Sequence, residues 1–422
     1  MRAFAKTTLS EAVARLVPGL KVLLPPGCGE PVALVGEICR QAERLPELAL
    51  MGGLHLGDYP FARPETAALR YVTWHLSPKL EEAQRRGRVE FVPVRYFDVP
   101  REFRQGGRWA PDCVVVHCAP PDEGGYLSLG VAVGVTLPAA RQAPLVIAQV
   151  NPAMPRTRGN AWLHRSQIDL WVEVDEPLLS YPPPAITEVE RAIGRHVAGL
   201  VPDGATVQVG VGAIPQAVLE ALAGHRDLAL HSLLVDAAVD LVERGVVTGA
   251  AKRLHRGRLD IAEAMGTRRL FEFLHDNPRV NMDSSEWVHD PEVVARLGRF
   301  VSINSGLEVD LGGQVNAESL GRRQVAGIGG QFDFSLGASM AADGRAIIAL
   351  PATGRSGEVS RIVPNLAAGA AVTTPRFVAD CVVTEYGVAR LKGLGARQRA
   401  AALIAVAHPK FRAELERSAS PS

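Results

Sequence analysis

Residues 325–364 read VAGIGGQFDFSLGASMAADGRAIIALPATGRSGEVSRIVP, and the reading of this stretch decides the fold. Two glycine-bearing turns, GIGG at 327–330 and TGRSG at 353–357, flank a strand-like apolar run at 345–350. Glycine lets backbone approach a ligand closely and leaves N–H groups to meet phosphate or carbonyl oxygens. With the cationic Arg355 inside the second turn, the pattern reads as a cradle for a phosphate-rich cofactor on an α/β scaffold.

Working outward, short apolar runs keep preceding amphipathic segments. Residues 21–25, 48–51, 89–92, 113–117, 145–150 and 170–174 are expected strands. Residues 30–43 predict a helix with Leu34, Ile38 and Ala42 on one face. Alternation of this kind predicts an α/β fold with a mainly parallel sheet. The stretch SYPPPAIT at 180–187 can continue neither element and reads as a linker between domains 1–182 and 186–415. The tail 416–422 is expected to be disordered. After the linker the rhythm restarts, with helices over 186–199 and 214–223 and strands over 205–211, 228–231, 301–303, 346–350 and 372–374. GATVQVG at 204–210 echoes GLKVLLP at 19–25, as two related α/β halves would. A cleft between halves is then the expected site.

A chain of 422 residues exceeds one comfortable core, and two domains of about 150–250 residues are expected. The net charge of +1 argues against nucleic acid or an anionic membrane as main partner, because both select clustered cations. No apolar run approaches the ~20 residues of a membrane span, and no signal peptide is legible. Five cysteines without metal-ligand spacing read as reduced thiols of a cytoplasmic protein. The eleven histidines form no HxH or HExxH pattern, so no metal is expected. GxSxG, P-loop and GxGxxG signatures are absent, which removes the commonest hydrolase, NTPase and dinucleotide readings.

What remains are turns. GVGAIP at 210–215 stands where a strand ends and a helix begins, so free N–H groups and the helix dipole suit an anion or a thioester oxygen. A tight turn with no ligand would read the same way. GCGEP at 27–31 is a similar turn; Cys28 lacks a sequence-adjacent histidine to activate it. PPDEGGY at 120–126 and NPAMPRT at 151–157 follow other strand ends.

Taken in order, GCGEP, PPDEGGYLSLG, VNPAMPRTRGN, GVGAIPQAVLEAL, VSINSGLEVDLGGQVNAES, GIGGQFDF, IIALPATGRSGEVSRIVP and VVTEYGVARLKG resemble the acetyl-CoA hydrolase/transferase family. The chain looks like the family's 4-hydroxybutyrate and acetate CoA-transferases in particular, over about residue 27 to residue 412. The resemblance implies two α/β domains of the NagB/RpiA/CoA-transferase-like type, coenzyme A as ligand, an acyl-CoA and a small carboxylic acid as substrates, and a homodimer. It also implies ping-pong exchange through an acyl-glutamyl anhydride and a glutamyl-CoA thioester. Carried over by position, Gly210, Val211, Gly212, Ala213 and Ile214 match the loop near the thioester. Gly327, Gly329 and Gly330 match the glycine loop facing CoA, and Arg355 stands where the family usually has lysine.

One departure bears on the chemistry. The family's glutamate lies in a pattern like IHTEMFSDGVVDL, whereas residues 230–241 read LHSLLVDAAVDL, one residue shorter. The glutamate position falls on Leu233, or on Ser232 if the gap slides upstream, and neither is a carboxylate. No glutamate occurs between Glu220 and Glu243. Three readings follow: acyl-CoA chemistry through another group, CoA binding without turnover, or replacement by Asp236. The other carboxylates considered are Glu30, Glu123 and Glu318, all in turns, where a structural role is the ordinary alternative. Asp236 otherwise reads as a helix N-cap, and His231, beside Ser232, as a buried core histidine.

Overall fold

The computed structural model describes residues 4–419. The chain divides into two compact units, one of Met1–Pro182 with Asp260–Val288 and one of Pro183–Leu259 with His289–Ser422. Residues 260–288 therefore leave the continuous 186–415 domain expected from sequence. The reason is backbone pairing: Val133 and Gly134 donate to the Ala262 carbonyl at 3.1 and 3.0 Å, and Ala264 donates to Val131 at 2.9 Å.

In the first unit an eight-stranded sheet runs in the order Ala5–Lys6, Leu170–Glu173, Leu145–Val150, Cys113–Cys118, Lys21–Leu23, Ala49–Gly52, Arg70–Thr73, Val89–Phe91. Every pairing is parallel. The order grows outward from Lys21–Leu23 in one direction and from Cys113–Cys118 in the other. Such a switch point opens a crevice at the carboxyl ends of the strands, where residues 24–31 and 119–125 begin. Leu34, Ile38 and Ala42 are buried as their spacing predicts, packing with Val22, Leu50, Tyr71 and Val115. The helix itself is shorter than 30–43, because Val32–Arg40 gives way to a 3-10 turn at Ala42–Arg44.

In the second unit the strands Ala229–Leu234, Thr206–Val209, Phe300–Ser305, Arg345–Ala349, Cys381–Thr384 and Gly387–Arg390 are successive neighbours. All these pairings are parallel except the last. The switch point lies between Thr206–Val209 and Phe300–Ser305, so each unit places a glycine-bearing turn just beyond the first strand of its switch. The helix Glu188–Ala198 starts on a capping box made by Thr187 and Glu190, two residues later than the sequence suggested.

Two expectations are corrected. Residues 372–374 form no strand; Thr374 makes only an isolated bridge to Val315, and Pro375 cannot donate to a ladder. Of the tail expected to be disordered, residues 416–419 complete the helix Pro409–Ala419, anchored by buried Leu415. Residues 420–422 lie outside the described residues.

Candidate functional site

In the second unit the turn 210–212 links the strand Thr206–Val209 to the helix Ala213–Ala221. Gly212 caps that helix with φ 121°, a backbone that favours glycine, and no side chain serves as cap. The first amides of a helix have no partner within it, and Pro215 in the first turn contributes no N–H. Gly210, Val211, Gly212 and Ala213 are half-exposed, whereas Ile214 is buried. A side chain on Gly210 would meet nothing within 4 Å. These amides can therefore hydrogen-bond an oxygen arriving from solvent.

The turn 327–330 enters the helix Gln331–Met340, which leads back to the strand Arg345–Ala349. Both glycine turns thus stand at the carboxyl ends of the parallel strands, where α/β sheets bind ligands. Gly327, Gly329 and Gly330 are half-exposed. Gly329 has φ 54° and open space on its Cβ side, while a Cβ on Gly330 would lie 2.6 Å from the His289 ring and 2.7 Å from Phe334. Arg355 starts a short 3-10 turn, Arg355–Gly357, between the strands Thr353–Gly354 and Val359–Ser360. Its side chain lies outside what the structure describes.

Beneath these turns is a polar and aromatic layer. Gln208 and Asn304 exchange amide hydrogen bonds at 3.3 and 3.2 Å across neighbouring strands. Asn304 also donates to Ser302, which meets Ser335 at 3.4 Å. His231 is buried, with the rings of Phe300 and Phe334 edge-on at 5.8 and 6.2 Å. Burial, and secondarily the charge of His231, holds the His289 imidazole well below its ordinary range.

Ser232 follows with φ 108°, in the region that favours glycine. Such a backbone costs of order 1–3 kcal/mol for another residue. The strand Ala229–Leu234 pairs with Thr206–Val209 through Thr206↔Ala229 and Val207↔Leu230, and Leu233 lies beyond these pairs, next to the strand's last residue, Leu234. Leu233 is half-buried, and no carboxylate lies within 229–235. Asp236 is buried, but it is the first residue of the helix Asp236–Glu243; Val235 is the N-cap. Its carboxylate therefore meets the positive end of the helix dipole from inside the first turn.

The other carboxylates weighed from sequence are held by neighbours or solvated. Buried Glu30 has Oε2 3.4 Å from His55 Nδ1 and accepts from the Gly57 amide at 3.1 Å. Burial pushes this carboxyl up, yet the His55 and backbone hydrogen bonds prevail and hold it below its ordinary value. Glu318 accepts from Thr373 and Gln324, both at 3.0 Å. Glu123 is exposed in its turn, and Cys28 is buried.

A further group escaped the sequence reading. In the strand Leu259–Ala264, whose other residues are all buried, Glu263 alone is half-buried, and no pattern in LDIAEA marks it. The Tyr96 hydroxyl donates to its Oε1 at 2.6 Å. Burial pushes this carboxyl up to about 8, against the Tyr96 and Gly134 hydrogen bonds. Burial and the Glu263 charge likewise raise the Tyr96 phenol well above its ordinary value.

Comparison with known proteins agrees over nearly the whole chain. Residues 2–180 match the acetyl-CoA hydrolase/transferase N-terminal domain, and residues 266–419 match the C-terminal domain. The 4-hydroxybutyrate coenzyme A transferase of Clostridium kluyveri is 42% identical over 410 residues, covering 97% of this chain and 95% of that protein. The succinyl-CoA:cyclohexane-1-carboxylate CoA transferase of Geobacter metallireducens is 40% identical, with 97% and 93% covered. Among solved structures, RipA from Yersinia pestis superimposes with a TM-score of 0.92 at 35% identity, covering 98% of this chain and 96% of that one. No helix among the described residues is long and apolar enough to cross a membrane.

Proposed function

The chain belongs to the acetyl-CoA hydrolase/transferase family, and from that premise we propose an acyl-CoA-processing enzyme that moves or releases CoA on a small carboxylic acid by a mechanism altered at residue 233. CoA and its thioester are substrates in this reading. The half-exposed turn 210–214 offers amides to the thioester oxygen, where preorganised donors stabilise charge as it develops. The turn 327–330, with the Arg355 position after it, faces the phosphate-bearing part of CoA. A homodimer in the cytoplasm belongs to the same reading.

The observation that carries the altered mechanism is Leu233, near the carboxyl end of the strand Ala229–Leu234 and flanked by no carboxylate within 229–235. An aliphatic side chain can form neither anhydride nor thioester. Asp236 opens a helix three residues beyond Leu233 with a side chain one methylene shorter than glutamate, and a misplacement of ~1 Å costs about a hundredfold in rate. Ser232 and His231 are both buried, Ser232 on a strained backbone and His231 among rings. The same leucine favours a second reading, a CoA or acyl-CoA binding protein without turnover.

Calorimetric titration with CoA, followed by thiol release from a panel of acyl-CoAs with and without carboxylate acceptors, separates the two. Binding with acceptor-dependent exchange supports the enzyme. Binding without turnover across the panel supports the binding protein. Absence of CoA binding overturns both.

A further inference from the structure

We propose that Glu263 is the carboxyl group that becomes acylated and then carries CoA, in place of the glutamate absent at residue 233. The inference rests on the acyl-CoA reading above and adds to it a named nucleophile and an assisting phenol.

Four observations meet at this side chain. First, it is the one half-buried residue of a strand whose other residues are all buried. Second, Tyr96 holds Oε1 at 2.6 Å, leaving Oε2 as the attacking oxygen. Third, residue 134 is glycine where a Cβ would lie 2.5 Å from Oε1, so the backbone at 134 closes on the carboxyl and fixes its rotamer. Fourth, Tyr96 comes from the loop beyond the carboxyl end of the strand Val89–Phe91, the ligand-bearing side of a parallel sheet.

The environment suits covalent exchange. An ionised carboxylate is penalised here by burial, whereas an anhydride or thioester of the same group is neutral. A site that disfavours the charge therefore favours its acylation. Glu30, whose ionised form is held by His55 and backbone amides, is placed for the opposite behaviour.

The steps balance without a further reagent. Glu263 loses its proton to solvent, Oε2 bonds to the acyl carbon, and the C–S bond breaks to release CoA thiolate. The thiolate attacks Cδ of Glu263, the anhydride C–O bond breaks, and the donor acid leaves as carboxylate, giving a glutamyl-CoA thioester. An acceptor carboxylate attacks Cδ and expels the thiolate, which then attacks the acceptor acyl carbon and restores Glu263. Whenever Cδ becomes tetrahedral the negative charge develops on Oε1, the atom to which Tyr96 already donates. Loss of one such donor typically costs about 10²–10³ in rate.

The test uses the full chain incubated with acetyl-CoA, desalted and weighed intact, with peptide mapping of any added mass. A CoA adduct mapping to the peptide that bears Glu263, lost in Glu263→Gln while that variant still binds CoA by calorimetry, is the expected result. Tyr96→Phe keeps the carboxyl and should form the adduct at least tenfold more slowly. An adduct that persists in Glu263→Gln, or that maps elsewhere, overturns this inference and leaves the acyl-CoA reading intact. CoA binding without an adduct in the unmodified chain also overturns it and favours the binding protein. No binding by the unmodified chain overturns both.

Discussion

The hydroxyl of Tyr96 reaches across 167 positions of sequence to lie 2.6 Å from Oε1 of Glu263. A phenol and a carboxyl so close are coupled: the ionised carboxylate raises the cost of deprotonating the phenol, while the phenol's hydrogen bond favours the ionised carboxylate against its burial. That coupling gives the pair a signature in pH.

If Glu263 must be ionised to attack, exchange should climb about tenfold per pH unit on the acid side and level off above about 8. An ordinary glutamate would already be on its plateau at pH 6. Initial rates of CoA exchange between pH 5 and 9.5 check this, and a flat profile across that range speaks against Glu263.

Stability should carry the same signature with a definite sign. Glu263 is raised from the ordinary 4.5 to about 8 in the folded chain, so between those values the folded state binds the extra proton. Stability then falls as pH rises through that window. In melting curves, the advantage of Glu263→Gln over the unmodified chain should grow between pH 5 and 8.

Gly134→Ala should displace the carboxyl without unfolding the protein. Its Cβ would fall 2.5 Å from Glu263 Oε1 but 3.2 Å from the Ala262 Cβ, so a flexible side-chain end gives way first. We expect a kcat loss of about a hundredfold, with the melting temperature nearly unchanged. Equal losses in stability and rate would point to a structural role.

Ser232→Gly should stabilise the chain by about 1 kcal/mol, the relief of backbone strain less the entropy of glycine in a strand. Ser232→Ala keeps the strain at φ 108° and should not. The midpoints of urea denaturation distinguish the two.

The glycines of the turn 327–330 should separate by mechanism. Gly330→Ala meets two rings and should cost about 1–3 kcal/mol of stability by overpacking. Gly329→Ala meets open space but holds φ 54°, costing about 1–2 kcal/mol. Because Gly329 faces outward, its substitution should also weaken CoA binding by calorimetry.

The parallel α/β architecture was legible because its signals are local. The spacing of Leu34, Ile38 and Ala42 encodes a buried face whatever the rest of the chain does. The position of residues 260–288 was not legible, since their pairing with Val131, Val133 and Gly134 is a long-range event that periodicity cannot express. The same holds for Glu263, whose contact with Tyr96 exists only after folding. Asp236 was misread by one residue because an acidic residue suits the N-cap and the first turn alike. Residues 372–374 had strand composition but only one bridging partner.

Leu233 also decides which chemical probes the protein will answer to. Reagents that trap an activated glutamate on the strand Ala229–Leu234 find a hydrocarbon there, and an inhibitor built to exploit that acid would have nothing to engage. The chain should be silent to such a probe while still titrating with CoA. In a mixture of related CoA transferases, that silence of the peptide 229–234 would pick out this protein, with any label falling on another stretch of its sequence.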